Sequence, residues 1–455
     1  MVDPVPQSNE WKEQDRGLPR LAASTEQPSS VFPSRKRLDS IDLLRGIVMV
    51  IMMLDHTRDF IHRDVLLGYD PTDLSRTNVI LFFTRWITHY CAPVFVFLAG
   101  TSAYLQYARG KSKRELARFL FTRGLWLIVL EVTVIRVVVS GNLDYRFVGG
   151  LQVIWALGVS MIVLAALIYL PLWVTAIFGV GMIALHNLLD GFKVQSWQGA
   201  ESAVPSAKAK LWILLHQGFE AFPVLWFFPS PVVFVVYPLI PWVGVMAAGY
   251  AFGAVYQWEA QRRRRLLVIL GSVATVSFVA LRLANVYGDP KPWSTQNSAV
   301  FTVLSFLNTT KYPPSLLFLL MTSGPALLLL AWFERCEHEA ESSGTPADTR
   351  ARDQHSFISR LTNALITFGR VPLFFYILQW ITARMFSVLL HLVAGKPTRW
   401  MFGSEAFLSG PPPGVGFSLT VVYACWIVGI LLLYPLCKWF AGVKARRRDW
   451  WLSYL

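Results

Sequence analysis

The chain has 455 residues, of which 54% are hydrophobic and only 15% charged, and its mean hydropathy is +0.45. A soluble domain carries about 25% charged residues, so this composition excludes an ordinary soluble protein and points to lipid as the solvent. The formal net charge of +14 does not call for a nucleic-acid partner, because the basic residues gather beside apolar segments and so report membrane topology first.

Residues 1–36 are polar, with prolines, serines and mixed charge, and are expected to form a disordered cytoplasmic tail. The extreme N-terminus has no apolar stretch, so no cleaved signal peptide is expected. About twenty apolar residues cross a bilayer. By that measure helices are predicted at 41–61, 79–106, 117–140, 148–169 and 172–189, then at 232–256, 265–285, 313–333, 362–392 and 417–440. The expected fold is all-α, a polytopic bundle of about ten transmembrane helices with both termini cytoplasmic. Residues 37–443 form the membrane domain and 444–455 a basic, aromatic tail. Leu211–Phe228 is a weaker segment, interfacial or an eleventh span. The four cysteines, Cys91, Cys336, Cys425 and Cys437, give neither a disulfide framework nor a zinc spacing.

Loop charges support ten spans. Starting inside, alternate connections carry Arg109, Lys111, Lys113, Arg114 and Arg118, then Arg262 to Arg265, then Arg335, Arg350, Arg352 and Arg360, with Lys444 and Arg446 to Arg448 after the last helix. The opposite connections hold single cations such as Arg146, Lys291 and Lys396. That alternation follows the positive-inside rule.

The first predicted helix carries the most chemistry. Asp42, Arg45, Met49, Met52, His56 and Asp59 recur at steps of three and four, which places all six on one stripe. Arg45 and His56 are separated by roughly 16 Å along the axis. The stripe thus sets a cation near the cytoplasm and an imidazole in the outer half of the bilayer, where ionisable groups face a bundle interior or a wet cavity. Asp55 points about 100° away from His56 around the helix. Asp59, three residues on, is therefore the expected partner of the ring.

Asn78, Arg85 and His89 share a face of the second helix, so both histidines and Arg85 are expected to converge on one outward-facing pocket. Glu131 and Arg136, five apart on the third helix, are poorly spaced to pair with each other, and each needs a partner elsewhere. Arg370 lies between Gly369 and Pro372, where a local break frees backbone groups. For each of these residues a polar network that fixes helix packing competes with a reactive role; for His62, beyond the first helix, plain solvation competes.

The segment RLDSIDLLRGIVMVIMMLDH, Arg37 to His56, resembles the opening signature of the transmembrane acyltransferase superfamily. Asp42, Leu44, Arg45, Gly46 and His56 keep the register of the acyltransferase type 3 pattern. APVFVFLAG, Ala92 to Gly100, resembles a segment of the heparan-alpha-glucosaminide N-acetyltransferases. NTTKYPPS (Asn308 to Ser315), FGRVPLFFYIL (Phe368 to Leu378) and the closing RRRDWWLSYL are similar to bacterial membrane proteins carrying that catalytic domain, the DUF1624 group, which implies a multi-pass protein of the cell (inner) membrane.

The resemblance implies transfer of an acyl group, commonly acetyl, from cytoplasmic acetyl-CoA to a sugar or glycan across the bilayer. It maps His56 onto the catalytic histidine of the type 3 pattern, and Asp42 and Arg45 onto its acidic and basic positions. The glucosaminide enzymes lack a histidine at the His56 position and carry theirs further along, which makes His62 the competing assignment; His89 has no counterpart there. On this view Arg45, with Arg109, Lys111 or Arg118, holds coenzyme A phosphates. His56 accepts the acceptor's proton or carries the acyl group itself. Arg85, Asn308 and Lys311 bind sugar hydroxyls or the developing oxyanion. The resemblance permits a homodimer. A transporter or permease lined by the same charges is the alternative from another class, as is a non-catalytic membrane protein; the two halves show no clear self-similarity of the transporter kind.

Overall fold

The computed structural model describes residues 38–454 apart from 146, 199–201, 224–231, 343–356, 403–409 and 448. The tail expected over 1–36 and the cations Arg146, Arg350, Arg352 and Arg448 lie outside the described residues.

Helix α1 spans Asp39–Ile61, with Asp39 and Asp42 in its first turn and Arg58 in its last, each charge complementing the helix dipole. Helix α2, Val79–Ala108, starts at Asn78, whose side chain accepts from the Leu81 amide at 3.0 Å, and tightens to a 3-10 turn over Ile87–Tyr90. A capping box between Ser112 and Glu115 opens α3, Lys113–Leu130, which continues through a π-helical turn at Glu131–Ile135 into Arg136–Ser140. Then come β1 (Phe147–Leu151), α4 (Val153–Leu167), α5 (Leu172–Leu185), α6 (Ala207–Leu215), β2 (Glu220–Pro223), β3 (Val232–Val235) and α7 (Trp242–Phe252). The second half supplies α8 (Ala260–Ala284), α9 (Ala299–Leu307), α10 (Leu316–Ser342), α11 (Phe357–Arg370), α12 (Pro372–Val393) and α13 (Leu419–Arg446).

Among the described residues, six helices are long and apolar enough to cross a membrane: Val79–Ala108, Leu172–Leu189, α8, Leu316–Glu339, α12 and α13. The chain is mostly helical, but it is not purely so. The starts of two expected spans are instead strands β1 and β3, which join β2 in a sheet of order β1-β3-β2, with β1 parallel and β2 antiparallel to β3. A short apolar run such as Val232–Val235 has no periodicity that separates strand from helix. The Leu211–Phe228 segment is no single span, since α6 ends at Leu215 and β2 follows. The stretch predicted as one helix over 362–392 is two, parted at Val371 before Pro372, because proline lacks the amide that would continue α11. At the far end the closing segment returns to α3, where Tyr454 Oη lies 2.6 Å from Thr122 Oγ1.

Helix α1 is central, packing on α2, α10, α11, α12 and α13, with Met49, Met53 and Ile61 fully buried. Its approach to α11 depends on two glycines. A methyl group added to Gly46 would overlap the Leu365 carbonyl, and one added to Gly369 would overlap the Asp42 carbonyl. Gly46→Val is therefore expected to cost about 1–3 kcal/mol as the helices are forced apart. Gly181→Ala is the control, because nothing lies near that Cβ. Thermal unfolding in detergent checks the pair; equal melting temperatures would show that close α1–α11 contact is dispensable.

Candidate active site

Asp55 is the hub of a buried ion cluster. Arg85 on α2 donates through Nη1 to both of its carboxylate oxygens, at 2.8 and 2.9 Å, and Arg58 Nη2 donates to Oδ1 at 2.6 Å. Thr88 Oγ1, on the 3-10 turn of α2, adds a bond at 2.8 Å, and Lys311 Nζ lies 4.0 Å away. Arg58 also donates to Asp59 at 2.6 Å. Three cations thus face two carboxylates, leaving a positive field around Asp55. Arg58 is 1% exposed, and its Nε and Nη1 have no hydrogen-bond partner among the described residues, so the cluster retains uncommitted donors.

His56 stands beside this hub but is held by rings. It stacks on Trp380 of α12 at 3.8 Å between centroids and meets Tyr376 edge-on at 6.2 Å. Its Nδ1 is buried with no hydrogen-bond partner among the described residues. The same holds for Tyr376 Oη, Trp380 Nε1 and both amide atoms of Gln379. Buried polar atoms nearly always find partners. Several orphans along one stretch of α12 mark a place fitted for a polar ligand or for water.

A cavity of about 60 Å³ lies one turn from His56 toward the start of α1. It is lined by Met52, Phe95, Arg123, Leu127, Pro372 and Tyr376, among others. Further inward, Arg45 Nη1 donates to Asp42 at 3.0 Å and to the Gly369 carbonyl at 3.3 Å, while its Nη2 donates to Ser102 Oγ at 3.0 Å. Arg370 pairs with Asp39 at 3.0 Å and approaches Asp42 at 3.9 Å. The stripe from Asp42 to His56 faces the interior, and the cavity sits between its two polar ends.

Other predicted residues fall as follows. Asp59 bonds Arg58 rather than orienting His56, and its side chain is 41% exposed. His62 is buried, 6% exposed, against the expectation of a solvated loop residue: its backbone bridges to Phe417, which covers it. His89 is buried beside Phe318 and follows Thr88, so it borders the Asp55 cluster. Arg85 and Lys311 reach that cluster, whereas the Asn308 amide is committed to the Thr72 carbonyl at 3.0 Å and ties two loops together. Lys111 bonds Gln106 at 2.7 Å and covers Phe119, while Arg109 is exposed at the end of α2. Glu131 and Arg136 find separate partners: Glu131 accepts from the Trp155 amide in the first turn of α4, and Arg136 donates to the Asn142 carbonyl.

Sequence reasoning missed Asp55 as hub, Arg58, and the α12 trio Tyr376, Gln379 and Trp380. Only Asp55 and Arg58 had a signal, as ionisable groups inside a predicted span.

Apolar helices surrounding buried ions and histidines define a helical multi-pass membrane protein with a polar interior site. The family described as heparan-alpha-glucosaminide N-acetyltransferase, catalytic, matches residues 37–282, more than half of the chain, and the chain belongs to that family. It is accordingly of the membrane acetyltransferase kind. No curated protein matches the chain. Asp55, His56, Arg85 and His89 lie within the matched stretch; Lys311 and the α12 residues lie beyond it.

Proposed function

We propose that the protein moves an acyl group, acetyl first of all, from cytoplasmic acyl-CoA to a sugar or glycan on the outer side of the cell membrane. Ten passages with both termini inside would orient α1 with Arg45 toward the cytoplasm and His56 toward the outer leaflet. The observation that carries this reading is the cavity between those two residues, bounded at its outer end by Tyr376, which touches the His56 ring. Its lining is apolar but for Arg123 and Tyr376 and its volume is only about 60 Å³, so a pantetheine arm enters on this reading only as the flanking helices part, with its phosphates held near Arg45.

The chemistry then follows from the residues at the outer end. The acceptor hydroxyl or amine attacks the thioester carbonyl carbon while His56 takes its proton. The new C–O or C–N bond forms, the C–S bond breaks, and the proton passes from His56 to the departing coenzyme A thiolate. Charge that builds on the carbonyl oxygen is stabilised by the positive field of Arg58, Arg85 and Lys311 and by orphaned donors such as Trp380 Nε1. Trp380 holds the imidazole by stacking on its face at 3.8 Å, so orientation here is a matter of stacking.

Purified protein in vesicles, given acetyl-CoA on one side and hexosamines or hexoses on the other, is expected to release coenzyme A only when both are present. A solute carrier with the same charges would release none. Within this assay Arg45→Ala is expected to raise the KM for acetyl-CoA at least tenfold, about the worth of one charge-assisted bond, with the acceptor KM unchanged. An unaltered acetyl-CoA KM would take Arg45 out of donor binding.

A further inference from the structure

Phe219 has a backbone that phenylalanine rarely adopts. Its φ is +61°, in the left-handed region, where a bulky side chain is a genuine outlier. The surroundings hold it there. Its amide donates to the Val235 carbonyl at 2.7 Å, just before β2 begins, and the preceding Gln217 side chain is fixed to both backbone groups of Val194, at 3.0 and 3.1 Å. Strain of this sort costs about 1–3 kcal/mol and survives where the structure over-determines it.

The outcome is an aromatic ring left open rather than tucked away. Phe219 is 52% exposed, yet two rings grip it edge-on: Tyr312 at 4.8 Å and Phe234 at 5.7 Å. Tyr312 leads straight to the ion cluster. Its hydroxyl lies 3.5 Å from Arg85 Nη2, Arg85 is bidentate on Asp55, and Lys311 precedes it in sequence. Phe219 is thus two side chains away from the carboxylate that adjoins His56.

We infer that Phe219 is the platform on which the acceptor's pyranose ring lies. The electron-rich face of a phenyl ring attracts the polarised C–H bonds on the apolar face of a hexopyranose, leaving the sugar's polar edge free for the donors of Arg85 and Lys311. The left-handed backbone leaves the ring half exposed against Tyr312 and Phe234. This inference rests on the acyltransferase reading and adds to it a positioning residue for the acceptor.

Glycine at this site makes the test sharp, because Phe219→Gly removes the ring while relieving the backbone. With glucosamine as the probe acceptor and the full chain in vesicles, Phe219→Gly is expected to raise the acceptor KM about five- to tenfold. The KM for acetyl-CoA and the thermal stability should stay at or above their starting levels, and Phe219→Trp should retain the original acceptor KM. An unchanged acceptor KM in the glycine variant, or an equal rise in both KM values, overturns the platform. If the unaltered protein transfers acetyl to no hexopyranose, the acyltransferase reading fails separately. The platform is then decided by saturation-transfer NMR with glucosamine: binding lost in Phe219→Gly and kept in Phe219→Trp upholds it, whereas equal binding in all three proteins, or none in any, refutes it.

Discussion

His56→Ala is expected to lower acyl transfer by at least 10²- to 10⁴-fold, the range over which a positioned acid–base group acts. Membrane insertion should survive, because the ring is held by stacking on Trp380 and its buried Nδ1 has no hydrogen-bond partner among the described residues, so removing it strands no ion. His56→Gln separates volume from chemistry: it fills most of the same space and should be equally inactive. The measurement is coenzyme A release by each variant at matched amounts of folded protein. Full turnover in His56→Ala would pass the catalytic role to His62 or His89. His62, whose backbone bridges to Phe417 beside His391 at the other end of α12 from Tyr376, is expected to tolerate alanine far better.

The second large effect is on stability. Asp55→Ala removes the anion that Arg58, Arg85 and Lys311 share, leaving three buried cations with one half-exposed carboxylate, Asp59, which pairs with Arg58 alone. Stranding a buried charge costs about 3–5 kcal/mol, which takes most of the stability of a typical fold. Asp55→Ala is expected to aggregate on extraction, whereas Asp59→Ala should remain a monodisperse particle with nearly unchanged melting temperature. Size-exclusion profiles of the two variants decide this. If the two behave alike, Asp55 is not the hub that its four partners make it.

The contrast between those two aspartates shows how far the sequence could be read. The α1 stripe was legible, because a spacing of three and four residues is a property of one helix. The partner of His56 was not. On α1 alone Asp55 points away from His56, but the groups it serves, Arg85 and Thr88, come from α2, and only packing brings them together. Trp380 and Tyr376 were invisible for a related reason: aromatic residues in an apolar helix resemble ordinary lipid-facing or core positions. Gly369 and Pro372 foreshadow the division between α11 and α12, although the continuous apolar run over 362–392 reads as one span. The short strands β1 and β3 left no signal that could be told from the ends of helices. Family membership is readable because it rests on linear sequence, such as Ala92 to Gly100 within the matched residues 37–282, and needs no tertiary contact.

The stacking of His56 on Trp380 joins the opening helix of the membrane domain to its last but one. A growing chain therefore displays the imidazole, and the charges of Asp55 and Arg58, long before the aromatic lid over them has been synthesised. Before α12 is made, the ionised turn of α1 already has Arg85 and Thr88 of α2 as partners, and then Lys311 just ahead of α10. Early pairing of the first two helices thus gives that charged turn its first partners, and the ring that stacks on His56 arrives only when translation is nearly over.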